Sequence, residues 1–426
     1  MTSAETRSSA KSETAEPPLS VALIAALLIL TCGHVLSNML RTTPALAVDL
    51  MSLDLGVTPQ TLAALTSAYH FFFAMLQIPI GVALDRYSIR SVSLVLFAGT
   101  IFGAAIAAFS TGPLSFFVSQ ATIGMATSGM LMCPITLAAK RLTPGQFGLW
   151  SGVILSFGNS GLLLSASPLA YIVENWGWRA GYWTAAAAAV VVAGLVAIIV
   201  PVARPDGPPR ALVAEMASVV RLGLSRALRG IIILAFVSLA MQLVLRGIWA
   251  GPWLMTIKGL SRIEAGNVLL LFTLALVVAP AVSGIIDRKI GHRRVLLLSV
   301  HLIAAALLLA MALGAPGYPL ARLLGVPLLP VAVDSVLLVT FGFLVSMQPL
   351  VYAMVRQAVA PENIGKALSA ANLAFFLGTA VMQSVTSPVA AYWGLPAVLI
   401  VMAVCLVTGA LIFFALTRPT QSRANL

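Results

Sequence analysis

Long apolar runs alternate with short polar links along almost the whole chain. Twelve runs reach the roughly 20 residues that a helix rising 1.5 Å per residue needs to cross the ~30 Å apolar core of a bilayer. Their length predicts an all-α membrane protein with twelve transmembrane helices. The expected spans are 20–46, 60–84, 91–110, 113–139, 148–172, 180–200, 230–257, 264–286, 293–314, 331–357, 364–390 and 393–417.

The same pattern divides the chain into five parts. Residues 1–19 are polar and lack the apolar core of a signal peptide, which predicts a disordered cytoplasmic tail before a retained first helix. We expect one six-helix bundle at 20–200, a second at 230–417, a cytoplasmic linker at 201–229 and a cytoplasmic tail at 418–426. The linker opens with four prolines and then becomes basic and helix-like. It is either a surface helix or a solvated loop.

Composition and charge agree with a membrane protein. The chain is 60% hydrophobic and 9% charged, whereas soluble proteins average about 25% charged residues. The net charge of +12 could suggest nucleic acid, but 19 of the 25 Lys and Arg residues lie on one predicted side of the membrane and four on the other. Because short cytoplasmic loops retain positive residues, this asymmetry predicts cytoplasmic termini and no nucleic-acid partner. We expect the membrane to be a bacterial inner membrane.

Soluble-enzyme functions find no support in the sequence. It has no catalytic cluster, Gly-rich phosphate loop or metal-ligand spacing, and its three cysteines fall inside apolar spans, as small buried hydrophobic residues do. We therefore expect neither enzymatic activity nor a cofactor or metal.

Three landmarks recur in the same order in both halves of the chain. Each half has an arginine in its first span, a Gly…Asp-Arg sequence at the end of its second, and a glycine ten residues before a proline in its fifth. They are Arg41, Gly81–Arg86 and Gly158–Pro168 in the first half, and Arg246, Gly284–Arg288 and Gly378–Pro388 in the second. Parallel six-helix repeats that hold a site at their interface are a known transporter plan.

At these residues the chain resembles the major facilitator superfamily, whose link after helix 2 carries a Gly-x-x-x-Asp-Arg-x-Gly-Arg-Arg-like signature. The two copies here read Gly81-Val-Ala-Leu-Asp85-Arg86-Tyr-Ser-Ile-Arg90 and Gly284-Ile-Ile-Asp287-Arg288-Lys-Ile-Gly291-His-Arg293-Arg294. The resemblance implies two pseudo-symmetric six-helix bundles and secondary transport by alternating access. Arginines in helices 1 and 7 make the anion-transporting branches the nearest. Helix 5 lacks the Gly-Pro pair of drug antiporters, and Gln120 replaces the frequent helix-4 arginine, which argues against multidrug proton antiport.

The signature residues are candidates for a cytoplasmic gate. A carboxylate at a helix end can pair with arginine and cap a neighbouring helix N-terminus, and so hold the two halves together. The alternative is a set of solvated loop charges. The gate candidates are Gly81, Asp85, Arg86, Arg90, Gly284, Asp287 and Arg288.

Two arginines inside apolar spans are the strongest candidates for a substrate site. A guanidinium in a bilayer core costs roughly 2.5–3.5 kcal/mol on insertion scales, and no acidic residue lies mid-span to neutralise Arg41 or Arg246. A small anionic substrate would be their counter-ion, since guanidinium binds carboxylate or phosphate through two parallel hydrogen bonds. Alternatively, Arg41 reaches the outer headgroups or pairs with Asp49, and Arg246 is a structural arginine bonded to backbone carbonyls.

Other polar and aromatic side chains in the spans could line the same cavity. Each of them could instead bond one helix to another. The candidates are Asn38, Tyr69, Gln120, Asn159, Gln242, Trp249, Tyr352, Asn372 and Gln383. His34 and His70 are the candidate proton carriers, because histidine titrates near physiological pH, with a structural, hydrogen-bonded role as the alternative for both.

The sequence thus predicts a secondary transporter that takes up a small organic anion, with a carboxylate as the expected charged group. We expect rocker-switch alternating access, with proton coupling through a histidine as one option. We expect a monomer in the lipid bilayer. Two other functions stay open: an efflux permease for amphipathic compounds, and a membrane receptor that does not transport.

Overall fold

The computed structural model describes residues 20–202, 212–290, 292–360 and 363–417, and every regular element in these residues is a helix. Eleven of the described helices are long and apolar enough to span a bilayer. The last one, Ile364–Leu416, has 53 residues, about 80 Å of helix, which is more than twice the bilayer core. Its backbone turns at Gly394, where φ is 78°, a conformation that glycine adopts without strain. This helix forms two spans, and the prediction of twelve transmembrane helices is confirmed.

We number the spans α1 to α12. They are α1 Val21–Leu46, α2 Pro59–Leu84, α3 Ile89–Phe109, α4 Pro113–Arg141, α5 Gly152–Trp176, α6 Trp178–Ile199, α7 Arg229–Ile257, α8 Arg262–Ile290, α9 Arg293–Leu313, α10 Val331–Ala358, α11 364–393 and α12 395–416. An even number of spans puts residues 20 and 417 on one side, which we call the terminal side; the other is the distal side. The predicted tails, 1–19 and 418–426, lie outside the described residues.

Six spans are interrupted, four of them near mid-length and α1 and α7 closer to their distal ends. The segments are Val21–Thr42 and Thr43–Leu46 in α1, Pro59–Met75 and Gln77–Arg86 in α2, Pro113–Thr127 and Met132–Arg141 in α4, Pro144–Leu164 and Ser167–Trp176 in α5, Val331–Val345 and Gln348–Ala358 in α10, and the π-helical turns Leu245–Trp249 and Trp253–Ile257 in α7. The spans α3, α6 and α9 run without a break. Irregular backbone at membrane depth is tolerated only where protein or a water-filled cavity surrounds it, so we infer that the interrupted stretches face protein rather than lipid.

Two glycines show that the halves are built alike. A Cβ at Gly161 would overlap the carbonyl oxygen of Val35, so α5 lies directly on the backbone of α1. A Cβ at Gly378 would overlap the carbonyl oxygen of Phe236 in the same way, so α11 lies on α7. Equivalent close contacts at equivalent helices agree with the repeat expected from the sequence.

The linker between the halves contains the surface helix that was one of its two expected forms. This linker helix runs from Leu212 to Gly223. Its Val219 packs against Ile78 of α2 and Ala370 of α11, and Glu215 lies 3.4 Å from Lys366 of α11. The linker helix therefore touches both bundles on the terminal side.

One ion pair lies inside the C-terminal bundle, near the distal end of α7. Lys258, which the charge count places in a polar link, lies 3.0 Å from Asp334 with both side chains fully buried. Its Nζ also donates to the Leu329 carbonyl oxygen at 2.8 Å, and Trp253 donates to Asp334 at 2.7 Å. These contacts hold the end of α7 against α10.

Candidate functional site

Arg41 lies at the break of α1, where the helix tightens into the turn Thr43–Leu46. Its side chain is almost fully buried and donates to Ser37, through Nε to the carbonyl oxygen at 3.4 Å and through Nη2 to the hydroxyl at 3.2 Å. The guanidinium carbon is 5.5 Å from the ring centres of both Phe73 in α2 and Phe376 in α11. Arg41 therefore contacts an aromatic ring of each half.

Arg246 is fully buried in a π-helical turn of α7. Its Nε donates to Thr273 of α8 at 3.1 Å, and its Nη2 donates to the carbonyl oxygens of Leu162 at 3.1 Å and Ser165 at 3.4 Å. Both carbonyls belong to the break of α5, so this arginine joins the two halves. Its Nη1 is buried without a hydrogen-bond partner among the described residues. In this conformation Arg246 makes the bonds of a structural arginine and keeps one amino group unused.

Neither arginine forms an ion pair within the described part of the chain. Asp49, the carboxylate nearest to Arg41 in sequence, pairs instead with Arg262. The buried Asp334 is taken by Lys258. Two buried cations thus face the interface between the halves without a protein anion.

The polar stripe of α1 is engaged with its neighbours in the N-terminal bundle. Asn38 Nδ2 donates to the Gly158 carbonyl oxygen at 2.9 Å and lies 3.3 Å from both Asn159 Oδ1 and His34 Nε2. The hydroxyl of Tyr69 lies 2.8 Å from Thr127 of α4 and 3.2 Å from Ser37. In this conformation these groups bond helix to helix, next to Arg41.

Five other candidates make contacts inside one half. Gln120 donates to Tyr182 of α6 at 3.4 Å, within the first half. Within the second half, Trp249 donates to Thr386 at 2.9 Å, Ser346 donates to Gln242 at 3.4 Å, and Tyr352 donates to Asn372 at 2.5 Å. Gln120 thus bonds to α6, whereas the other four candidates bond within the second half.

His70 and Gln383 meet across the interface. His70 Nδ1 of α2 lies 3.0 Å from Gln383 Oε1 of α11, and Gln383 Nε2 donates to Thr66 at 3.0 Å. At the next residue along α11, the hydroxyls of Ser384 and of Ser67 in α2 are 3.1 Å apart. These contacts join the distal parts of α2 and α11.

Ion pairs between the two halves, which were not predicted from the sequence, join them on the distal side. Arg262, at the start of α8, binds Asp49 through Nη1 at 3.1 Å and Nη2 at 2.7 Å, and Glu174 at the end of α5 through Nε at 3.1 Å. It also donates to the Leu46 carbonyl oxygen. We call Arg262, Asp49 and Glu174 the distal latch. All three were visible only as single charges at helix ends.

The latch also sets the ionisation of Asp49. Burial favours the neutral acid, but the hydrogen bonds and positive charge of Arg262 outweigh it and hold the pKa of Asp49 below its ordinary value of 3.8. Outside the latch, Trp178 and then Arg179 hydrogen-bond to Asp54 and lower its pKa as well. Both carboxylates are therefore charged at neutral pH.

The terminal side has a cavity of about 300 Å³ between α2, α4, α11 and the linker helix. Gly81, one of the predicted gate residues, lines it together with Gln77. Arg86 is exposed and Arg90 is partly buried at the same end of the molecule. The surroundings of the remaining gate candidates lie outside the described part of the structure; they are Asp85, Gly284, Asp287 and Arg288.

Comparison with known proteins gives matches of three kinds. A family model described as Major Facilitator Superfamily matches residues 27–329 and 231–426. The putative niacin/nicotinamide transporter NiaP of Bacillus subtilis (strain 168) is 26% identical over 233 residues, which cover 53% of this chain and 56% of NiaP. The uncharacterized transporter YybO of the same organism is 22% identical over 144 residues, 34% of this chain and 33% of YybO. The chain thus spans about half the length of NiaP and a third of YybO.

Solved structures match along nearly the whole chain. A POT family transporter in complex with 5-aminolevulinic acid gives a TM-score of 0.75 at 13% identity, covering 92% of this chain and 95% of that one. The nucleoside transporter NupG gives 0.75 at 14% identity, covering 93% and 100%. The D-xylose-proton symporter gives 0.69 at 16% identity, covering 92% and 96%. At such low identity these matches show the fold alone.

Proposed function

The chain belongs to the major facilitator superfamily, and we propose that this secondary transporter moves a small organic anion with a carboxylate as its charged group. The anion binds between the two halves, with Arg41 and Arg246 as its ligands. Asn38, Tyr69 and Gln242 line the site from α1, α2 and α7. Gln120 is left out of this site, because it bonds to α6.

One observation supports the proposal above the others: two buried guanidinium groups, one from each half, without a carboxylate partner among the described residues. An unpaired buried charge is costly, and a bound anion removes part of this cost. The unused Nη1 of Arg246 provides a donor before any existing bond breaks. Two carboxylates of the chain, Asp49 and Asp334, pair instead with Arg262 and Lys258.

The surroundings of Arg41 favour a flat anion. Phe73 and Phe376 lie with ring centres 4.2 Å apart and both border the guanidinium. A planar carboxylate can bind the guanidinium fork while its body packs on these rings. NiaP, named for niacin and nicotinamide, makes niacin, an aromatic carboxylic acid, the first compound to test.

The proposed cycle uses the two sides differently. We assign the terminal side to the cytoplasm, because 19 of the 25 Lys and Arg residues lie there. The distal latch and the α2–α11 contacts join the two halves on the opposite side, and in the proposed cycle this conformation exchanges substrate with the cytoplasm. Opening of the latch, with closure of the terminal side, would expose the arginines to the outside.

Binding and transport by purified protein test the proposal. A carboxylate at 100 times its Kd should stabilise the native protein by about 2.7 kcal/mol in thermal unfolding. Arg41→Gln should weaken binding by about 10- to 100-fold, since a hydrogen bond to a charged group contributes about 1.5–3 kcal/mol. Arg41→Lys keeps the charge but lacks the planar fork, and should recover only part of the affinity.

Arg322→Gln is the matched control, because Arg322 lies in the short distal helix Pro319–Leu323 away from the interface. It should bind like the native protein. Equal affinity of native protein, Arg41→Gln and Arg246→Gln for every carboxylate tested would refute the site. Transport of neutral amphipathic compounds by both variants would instead favour an efflux permease.

A further inference from the structure

A chain of hydrogen bonds at the α2–α11 contact fixes the position of one proton on His70. The hydroxyl of Thr66 donates its one proton to the Ala63 carbonyl oxygen at 2.8 Å, so it can only accept from Gln383 Nε2. The amide oxygen of Gln383 then faces His70, and His70 Nδ1 must carry a proton and donate to it. All three side chains are buried.

The second ring nitrogen of His70, Nε2, differs from Nδ1 in its surroundings. Nε2 is buried without a hydrogen-bond partner among the described residues. A neutral ring leaves a bare lone pair there, whereas a second proton would create a buried cationic N–H without an acceptor, which is costly. The closed distal side thus accommodates neutral His70 and disfavours the imidazolium.

The charged groups around His70 add to this preference. Arg41 of α1 acts electrostatically on the ring and repels a second positive charge. Asp49 and Asp54, on the short helix Val48–Leu55 that packs on α2, are occupied by Arg262 and Arg179. The facing segment of α4, Pro113–Thr127, has no titratable residue.

The remaining neighbour, α11, carries its titratable side chains near its two ends, at Lys366 and Tyr392. Arg41 is therefore the charge that matters most to the ring. An anion held at Arg41 would offset an imidazolium at His70.

We propose that His70, closed over by Gln383, is the proton-binding site that couples anion uptake to the proton gradient. When the distal side opens, α2 and α11 separate and His70 takes a proton from the outside. The protonated ring permits distal closure only when an anion occupies the site beside Arg41, so proton and anion cross together. The empty, neutral carrier returns alone. This inference rests on the proposed function, because it requires an anion at Arg41.

A cysteine pair reports the closure directly. Ser67→Cys and Ser384→Cys, whose native hydroxyls are 3.1 Å apart, are introduced after replacement of Cys32, Cys133 and Cys405. Cross-linking with a short bis-maleimide is measured in detergent, with niacin as the probe anion. Without the anion, yield should fall at least about threefold from pH 8 to pH 5, the range in which histidine titrates. Saturating niacin at the lower pH should restore it.

Two histidine variants assign the effect. In His70→Gln the yield should not depend on pH beyond the reagent's own dependence, which is measured on free cysteine. His301→Gln is the matched control: His301 is also buried, but both its nitrogens are bonded within the C-terminal bundle, at 2.7 Å to Leu297 and 2.9 Å to Ser238. It should keep the native pH dependence. In proteoliposomes His70→Gln should retain anion counterflow but lose stimulation by an inward proton gradient.

The outcomes separate this inference from the proposed function. A pH-independent yield in the native background, which needs no change at His70, overturns the proton site. A cross-linking yield that keeps its native pH dependence in His70→Gln also overturns the proton site. Uptake driven by a proton gradient in that variant would do the same. The cross-linking yield could respond to pH in the native background and not in His70→Gln, yet be unaffected by a panel of carboxylates. That result would support the proton site at His70 and refute the binding of an anion at Arg41.

Discussion

Removal of Arg262 should open the distal side of the transporter. Arg262 is the one residue of the distal latch that belongs to the C-terminal bundle, and its side chain is 10% exposed. Arg262→Gln keeps a polar side chain of similar length but loses the charge and the fork that binds Asp49 and Glu174. We expect the population of the distal-open state to rise.

The size of this shift in population follows from how far the side chains of the latch are exposed to water. Asp49 and Glu174 are each 54% exposed, so water screens both pairs and each contributes about 0.2–1 kcal/mol. With the bond to the Leu46 carbonyl oxygen, the loss sums to about 1–2 kcal/mol, a factor of about 5–30 in the ratio of open to closed molecules.

Distance measurements between two spin labels can determine the fractions of molecules whose distal side is open or closed. Leu53 and Leu323 are 80% and 83% exposed, lie on the distal side of opposite halves, and accept labels without disturbing the core. Arg179→Gln is the matched control, because Arg179 pairs with Asp54 inside the N-terminal bundle and crosses no interface. An unchanged open fraction in Arg262→Gln, or an equal change in Arg179→Gln, would refute the role of the latch.

The remaining predictions concern pH and packing. The pKa of Asp49 is depressed below 3.8 in the closed state, so the contribution of the Arg262–Asp49 pair is complete above that value and is lost as pH falls through the depressed pKa. Arg262→Gln should therefore raise the ratio of open to closed molecules by the same factor at pH 5 and pH 8, whatever that ratio is in the native protein at each pH. Gly161→Ala, whose Cβ overlaps Val35, should abolish recovery of folded protein on size-exclusion chromatography, whereas Gly152→Ala, which has open space, should not. Lys258→Met should lower the free energy of unfolding by about 3–5 kcal/mol, because it leaves Asp334 buried and unpaired. Adding Asp334→Leu should restore most of this free energy.

The membrane spans were predictable because the bilayer imposes one length on every helix. The final 53-residue helix illustrates this: two expected spans, 364–390 and 393–417, meet near Gly394, where the chain turns. The number of helices and their class follow from apolar length alone. The local cause of the turn is a single glycine, which the apolar pattern by itself does not identify.

The partners of the arginines were not predictable in the same way. Arg246 binds carbonyl oxygens 81 and 84 positions away, and these are available because α5 breaks at Ser165. Because every residue has a backbone carbonyl, the sequence does not indicate which carbonyl oxygens will accept hydrogen bonds from Arg246. Arg262 likewise meets Asp49 from 213 positions away, a pairing that depends on which conformation the two halves adopt. Contacts between halves are properties of a state, and one sequence encodes more than one state.

The interrupted helices have a consequence for the motion itself. A continuous helix transmits rotation from one end to the other, as α3, α6 and α9 can. A helix in two pieces has a joint, and α2, α4, α5 and α10 each have one near mid-depth, whereas those of α1 and α7 lie closer to the distal side. We expect the pieces of these helices on the terminal side to swing while their distal pieces stay docked. Each bundle would then combine a stiff outer frame with a jointed inner lining, and its two openings would move by different amounts.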